Sequence, residues 1–133
     1  MGWQAVIVFD ASVLIAALSP SDTHHLAARS LLVRCDLDQG AMVHPINLAE
    51  VLVGPSRRGK EADVASTIAA SGVETMPVDL HAPTRIARLR AATGLGIPDC
   101  CALDAAIETG CAIATFDDRL ARAATSLGIP LAA

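Results

Sequence analysis

Four carboxylates stand apart in this sequence because each lies at the end or the start of an apolar segment. They are Asp10, Glu50, Asp99 and Asp117. A carboxylate at the tip of a buried strand is costly unless it is paired or bound to a cation. Hard cations such as Mg²⁺ and Mn²⁺ take oxygen ligands of this kind. The pattern therefore predicts a metal-dependent active site assembled from distant parts of the chain.

Strand-like apolar runs alternate with helix-like segments. Strands are predicted at residues 5–9, 41–44, 73–78 and 111–115, with a small fifth strand at 129–131. Helical spacing of apolar residues and Gly or Pro at the ends predict helices at residues 12–18, 24–37, 46–53, 60–70, 80–92, 98–109 and 118–126. This alternation indicates an α/β fold, with a parallel sheet of four to five strands covered by helices on both faces. Ligands bind such sheets beyond the carboxyl ends of the strands, where Asp10 and Asp117 fall.

The composition is that of one globular domain over residues 1–133. The chain is 53% hydrophobic and 18% charged, which argues against disorder, and no repeat or linker divides it. No apolar run approaches the ~20 residues that span a bilayer. Residues 1–4 lack the basic start of a signal peptide. We therefore expect a cytoplasmic protein that does not engage a membrane.

Neither the cysteines nor the histidines offer an alternative centre. The cysteines lack the paired spacing of a zinc site and are expected to be buried thiols; they are Cys35, Cys100, Cys101 and Cys111. The histidines lie away from the acids in sequence and no motif joins them; they are His24, His25, His44 and His81.

Polar residues accompany two of the acids at short spacing. Ser12 follows Asp10 by two positions and could hold that carboxylate or a metal-bound water, although either residue could instead cap a helix. Asn47 and Glu50 are three positions apart on one predicted helix and share a face. Capping of that helix is the alternative role for Asn47.

Further acids compete for a place in the site. Thr115 and Asp117 alternate across a strand end and should point the same way, whereas Asp118 is expected to begin the last helix. Asp99 could simply cap the helix that follows it. Asp104 lies five residues beyond Asp99 and is rotated away from it on a helix, so we do not expect both to be ligands.

Four short motifs follow one another in a fixed order over nearly the whole chain. They are Asp10-Ala11-Ser12, Asn47-Leu48-Ala49-Glu50, Pro98-Asp99 with the helix behind it, and Thr115-Phe116-Asp117. This set resembles PIN-domain ribonucleases, most closely the VapC-type toxins of bacterial toxin–antitoxin pairs. The resemblance implies a Rossmann-like α/β/α sandwich and an endoribonuclease that depends on Mg²⁺ or Mn²⁺. It assigns Asp10, Glu50, Asp99 and Asp117 to the catalytic and metal-binding set, with Ser12, Asn47 and Thr115 in support.

The resemblance also implies a reaction and partners. One or two cations would lower the pKa of a bound water, and the resulting hydroxide would attack an RNA phosphodiester in line. The expected products carry 5′-phosphate and 3′-hydroxyl ends. An antitoxin that blocks the cleft is the expected protein partner. Apolar residues on the short helices of region 46–70 could form a groove for a partner helix or a homodimer, or could simply pack on the sheet.

The net charge of −4 argues at first against nucleic acid, but two divalent cations would cancel it. Arginines cluster at 57–60, 85–90 and 119–122 and are either phosphate contacts or solvated helix faces.

Other functions on a similar fold fit less well. A phosphoacceptor receiver domain needs a lysine near the end of its last strand, and the only lysine is Lys60. An aspartate-nucleophile phosphatase usually has a second Asp where this chain has Ser12. A PIN-domain housekeeping nuclease and a catalytically silent RNA-binding or regulatory module of the same fold stay open as alternatives.

Overall fold

The structure, a computed structural model, describes residues 6–37 and 40–132, without the side chains of residues 36 and 37. The start predicted for the first strand, at residue 5, lies outside this part of the chain, as do residues 1–4. Strands and helices alternate in the order β1 Ile7–Phe9, α1 Ala11–Leu18, α2 His25–Leu37, β2 Ala41–Val43, α3 Pro45–Ser56, α4 Glu61–Ala70, β3 Val73–Thr75, α5 Ala82–Thr93, α6 Ile97–Thr109, β4 Ala112–Ala114 and α7 Asp118–Ser126.

The strands form one parallel sheet in the order β3-β2-β1-β4, which confirms the predicted fold class. Val8 in β1 pairs with Met42 in β2 on one side and with Ile113 in β4 on the other. The predicted fifth strand is reduced to a single parallel bridge between Ile113 and Leu131. Because β1 and β4 are neighbours, the segments that follow their carboxyl ends emerge side by side.

The two faces of the sheet are covered by different helices. Val8 and Met42 belong to a core shared with α5, α6 and α7. Phe9 and Val43, the next residues along the same strands, belong to a second core shared with α1 to α4. Successive strand residues point to opposite faces, so these apolar runs fill both cores of an α/β/α sandwich.

Two helix boundaries differ from the predictions by more than one residue. The helix α3 was expected to end at Val53, but it continues to Ser56 with Pro55 inside it. A proline in the last turn removes only one hydrogen bond of the helix, and the Pro55 ring is buried. The helix α5 begins at Ala82 rather than at residue 80, because Pro83 favours the first turn of a helix.

One smaller expectation agrees with the structure, since all four cysteines are buried. No helix within residues 6–37 and 40–132 has both the length and the apolar character to cross a bilayer.

Candidate active site

Asp10 lies in the short connection between β1 and α1 and is only 4% exposed. Its Oδ1 accepts hydrogen bonds from Ser12 Oγ at 2.7 Å and from the backbone N–H of Val13 at 3.2 Å, so it also caps α1. Its Oδ2 accepts a short hydrogen bond from Thr115 Oγ1. Burial raises the pKa of Asp10, these three donors lower it, and the charge of Asp117 raises it again.

Thr115 connects Asp10 to the second carboxylate that follows a strand. The backbone N–H of Asp117 donates to Thr115 Oγ1 at 3.0 Å, while that hydroxyl donates to Asp10. The Asp117 side chain accepts from the backbone N–H groups of Arg119 and Leu120 at 2.9 and 3.1 Å, and so caps α7. As predicted, Asp118 is the first residue of that helix.

Asp99 is half-buried in the first turn of α6, whose N-cap is Gly96, so it does not cap that helix. Burial is the largest cause that raises the pKa of Asp99. Repulsion from Asp117, Asp10 and Glu50 raises it further. All three other carboxylates therefore act electrostatically on Asp99.

Glu50 is held near Asp99 by a buried amide. Asn47 Nδ2 donates to Glu50 Oε1 at 3.3 Å and to the backbone carbonyl of Pro98 at 2.9 Å. The N-cap of α3 is His44, whose Nδ1 accepts from the backbone of the helix, so capping by Asn47 is wrong. The amide instead joins α3 to the residue that precedes Asp99.

The donor set suits a hard divalent cation, because it consists of carboxylate oxygens that repel one another. In residues 6–37 and 40–132, no three carboxyl, imidazole or thiol groups lie close enough together to enclose a metal ion as they stand. Glu50 has an exposed side chain that can rotate, whereas Asp10 is fixed by its donors and Asp117 Oδ1 is held by the backbone of α7. The assignment of metal ligands stays a prediction, supported by the charge interactions around Asp99.

The arginine cluster at 85–90 serves partly to stabilise the fold. Arg85 Nε lies 2.9 Å from Asp104 Oδ1, and its guanidinium also pairs with Asp79 at 3.0 Å and Glu108 at 3.5 Å. Arg85 as an open phosphate contact is therefore wrong, and Asp104, which is buried against it, is engaged away from the carboxylate site. Arg90 likewise donates to the carbonyl of Leu95 at 2.7 Å.

Two other arginines lie closer to the carboxylates. The positive charge of Arg119 lowers the pKa of Asp99 and so opposes the neighbouring carboxylates, which raise it. Arg58 lines the same groove as Glu50. Arg119 therefore places a cation near Asp99, and Arg58 places one in the groove that Glu50 borders, where each is available to an RNA phosphate.

Region 46–70 contributes to both the core and the surface. Val51 and Ile68 are buried in the core shared with α1 to α4, whereas Val53 is 47% exposed. A groove between α1 and α3 is lined mainly by apolar side chains, with Glu50 on its wall; the lining residues include Ile15, Leu18, Val51, Pro55 and Arg58.

Sequence reasoning missed two features beside the site. The rings of His24 and Phe116 stack with their centroids 4.3 Å apart. The rarity of aromatic residues, 2% of the chain, was the available signal for Phe116. His44 is buried and caps α3, and no sequence motif marked that role.

The model of the PIN domain family matches residues 7–126 of the chain. No curated protein gives a significant match. Among solved structures, VapC20 of Mycobacterium tuberculosis, described as a sarcin–ricin loop cleaving toxin, is 17% identical with a TM-score of 0.74, over 88% of this chain and 94% of that one. VapBC2 of Rickettsia felis, bound to a DNA fragment from its promoter, is 17% identical with a TM-score of 0.71, over 95% and 96% of the two chains. A toxin–antitoxin complex from Klebsiella pneumoniae is 22% identical with a TM-score of 0.67, over 84% and 86%.

Proposed function

The chain belongs to the PIN-domain family, and we propose that it is an endoribonuclease that depends on Mg²⁺ or Mn²⁺. The observation that carries this proposal is the pair of hydrogen-bonded links among the acids: Thr115 bonds both Asp10 and the backbone of Asp117, and Asn47 bonds both Glu50 and the carbonyl that precedes Asp99. These links support a site in which the other three carboxylates repel Asp99. Carboxylates that repel one another in this way are stabilised together by a cation. An all-oxygen ligand set favours Mg²⁺ or Mn²⁺ over softer metals.

In this proposal Asp10, Glu50, Asp99 and Asp117 hold the cation. When bound, a divalent cation lowers the pKa of water and neutralises charge that develops on a phosphate. Asp10 provides a fixed ligand, because its oxygens accept hydrogen bonds from Ser12, Val13 and Thr115. Ligands oriented in this way bind metal more tightly than mobile ones.

The basic residues nearest the carboxylates orient the RNA. Arg58 lies in the groove with Glu50, and Arg119 is close enough to Asp99 to lower its pKa. Guanidinium groups pair well with phosphate oxygens, so the two arginines can bind the phosphates that flank the one being cleaved. The arrangement favours single-stranded RNA, because a phosphate in an accessible loop can enter an open site.

We further propose that the nuclease is a toxin controlled by an antitoxin protein. The structures of similar fold include a sarcin–ricin loop cleaving toxin and a toxin–antitoxin complex, which supports this role. The groove between α1 and α3 supplies an apolar surface that ends at Glu50. A partner helix in this groove could bring a basic side chain to the carboxylates and exclude RNA. A homodimer is the other occupant, and the mass of the protein in solution without an antitoxin distinguishes the two.

Expression in growing cells tests both parts of the proposal. The wild-type chain should arrest growth, and co-expression of the gene product encoded beside it should relieve the arrest. Sequencing of RNA 5′ ends soon after induction should reveal new ends that carry 5′-phosphate. The Asp99→Asn variant, expressed at the same level, should produce neither arrest nor new ends.

The alternatives give different results. If the purified chain cleaves RNA but its expression is harmless, it is a PIN-domain housekeeping nuclease rather than a toxin. If the folded chain binds RNA and never cleaves it with either metal, it is a silent RNA-binding module.

A further inference from the structure

Two stacked rings, one exposed and one half-buried, lie near the segment that joins Thr115 to Asp117. The His24 and Phe116 rings are 4.3 Å apart between centroids and 9° from parallel, which is the geometry of a stacked pair. The backbone N–H of Phe116 bonds the Ser12 hydroxyl that also bonds Asp10, so the segment that carries the ring adjoins the candidate active site. No step in the proposed cleavage uses either ring.

Phe116 is positioned by the same hydroxyl that holds Asp10. Its backbone N–H donates to Ser12 Oγ at 3.0 Å, and Ser12 Oγ donates to Asp10 Oδ1 at 2.7 Å. One serine therefore fixes both the carboxylate and the backbone that carries the ring. The position of the Phe116 backbone relative to Asp10 is therefore set by the fold.

His24 is the outer ring of the pair. Phe116 is half-buried and packs against the core shared with α1 to α4, whereas the His24 side chain is exposed. The backbone of His24 is held by a 2.8 Å hydrogen bond from its N–H to Asp22 Oδ1, and its carbonyl accepts from Ala28 N–H at 2.9 Å. The core supports Phe116, Phe116 supports His24, and the outer side of His24 is accessible to a ligand.

We propose that His24 and Phe116 form a platform on which one nucleobase of the RNA substrate stacks, and that this contact places a neighbouring phosphate over the carboxylates. The inference rests on the proposed nuclease function and adds a base-binding position to it. Aromatic side chains beside a nucleic-acid backbone bind bases through their flat faces, with little preference among the bases. The platform would therefore set the register of the RNA rather than its sequence.

Fluorescence of a modified RNA measures this contact without relying on cleavage. The probe is a single-stranded RNA of about ten nucleotides, a length that fits one binding site of this kind. It carries 2-aminopurine at one position at a time and is mixed with the wild-type protein in the presence of a chelator. Stacking should quench the fluorescence at one position. His24→Ala should abolish that quenching and weaken binding about tenfold, within the range measured for the loss of one stacked base. His24→Phe should retain both.

His81→Ala is a matched control. His81 is also exposed, also directly precedes a helix, and its backbone N–H also donates at 2.8 Å to an Asp two residues earlier, Asp79. It has no aromatic partner among the described residues. This variant should bind RNA as the wild type does.

A second arm uses RNA with an abasic site at the quenched position. The wild type should bind this RNA about as weakly as His24→Ala binds intact RNA, and combining the two changes should add little, because both remove the same contact. Equal affinity and quenching for wild type and His24→Ala would overturn the platform while leaving RNA cleavage intact. So would a loss of antitoxin binding alone in His24→Ala, which would assign the rings to that protein. If the wild type neither binds nor cleaves RNA, the nuclease proposal fails and the platform fails with it.

Discussion

The side-chain amide of Asn47 donates a 2.9 Å hydrogen bond to the backbone carbonyl of Pro98, 51 positions further along the chain. The same amide nitrogen lies 3.3 Å from Glu50 Oε1. Because Pro98 directly precedes Asp99, one buried amide holds together the helices α3 and α6, each of which carries one of the four carboxylates.

Replacing Asn47 with Ala should therefore affect both stability and metal binding. The loss removes a buried hydrogen bond that joins the two helices, so the free energy of unfolding should fall by about 0.5–1.5 kcal/mol in urea titrations. The affinity for Mn²⁺ should fall about 10- to 100-fold, as for other residues that orient metal ligands. Ser56→Ala, at the exposed end of the same helix, is the control. Wild-type affinity in a destabilised Asn47→Ala protein would make the amide purely structural.

Thr115 offers a sharper substitution because valine has nearly its shape. Thr115→Val removes the hydroxyl that donates to Asp10 and accepts from the backbone N–H of Asp117. We expect a loss of about 1–3 kcal/mol in unfolding free energy and weaker Mn²⁺ binding, since two buried polar groups lose a partner. Thr115→Ser keeps the hydroxyl and should restore metal binding. Equal Mn²⁺ affinity of the Val and Ser variants would show that the hydroxyl does not orient Asp10.

The arginines near the carboxylates should control the salt dependence of RNA binding. Each phosphate contact that is lost should reduce the slope of log affinity against log salt by about 0.7 for single strands. We expect this change for Arg58→Ala and for Arg119→Ala in filter-binding titrations. Arg34→Ala is the control, because Arg34 lies in the last turn of α2 and donates to Ala132 O. Unchanged slopes for Arg58→Ala and Arg119→Ala would make those two arginines ordinary surface residues.

His44 should make the stability of the fold depend on pH. Burial lowers the pKa of His44, while the charge of Asp104 opposes that shift. The unfolded imidazole therefore gains its proton at a higher pH than the folded one, so the stability from the neutral ring is complete above about pH 6.5 and is lost as the pH falls. Protonation also ends the hydrogen bond in which Nδ1 accepts from Ile46 N–H at 3.0 Å.

The free energy of unfolding should consequently fall as the pH drops below about 6.5, by at most about 1.4 kcal/mol per pH unit from this residue. His44→Asn keeps an N-cap acceptor but cannot titrate, so its unfolding free energy should lack this component. His81→Asn, at an exposed position, should keep the wild-type pH dependence. Identical pH profiles for the wild type and His44→Asn would exclude His44 as the source.

The sequence predicted the sheet and the positions of the acids because both depend on local rules. An apolar run that ends in Asp10 or Asp117 indicates a buried strand and its tip, and parallel strands bring such tips to one edge. The sequence could not predict contacts between distant segments. The sequence leaves Arg85 as either a phosphate contact or a solvated residue, because its partner Asp104 lies in another helix. The bond from Asn47 to Pro98 likewise depends on how two helices pack.

The stacking of His24 on Phe116 could not be predicted for the same reason, since it joins the start of α2 to the loop before α7. The predicted end of α3 is wrong for a different reason. Gly54-Pro55 is typical of a helix end, but a proline in the last turn destabilises a helix little when its ring is buried.

The central claim is that the four carboxylates bind a divalent cation that RNA cleavage requires. The most direct test is to titrate Mn²⁺ into the wild type, Asp99→Asn and Asp118→Asn, and to measure RNA cleavage by the same preparations. Asp118→Asn is the matched control, because it removes an exposed carboxylate next to Asp117. Without metal, Asp99→Asn should melt at a higher temperature than the wild type, since burial and three carboxylates disfavour the charge of Asp99.

The account predicts that the wild type and Asp118→Asn bind Mn²⁺, cleave RNA only with metal, and stop when a chelator is added. It predicts that folded Asp99→Asn binds Mn²⁺ more weakly and cleaves RNA at least about a hundredfold more slowly, since stabilisation of the transition state by a metal is worth several kcal/mol. Full cleavage in the presence of chelator, or wild-type Mn²⁺ binding and cleavage by Asp99→Asn, would contradict it.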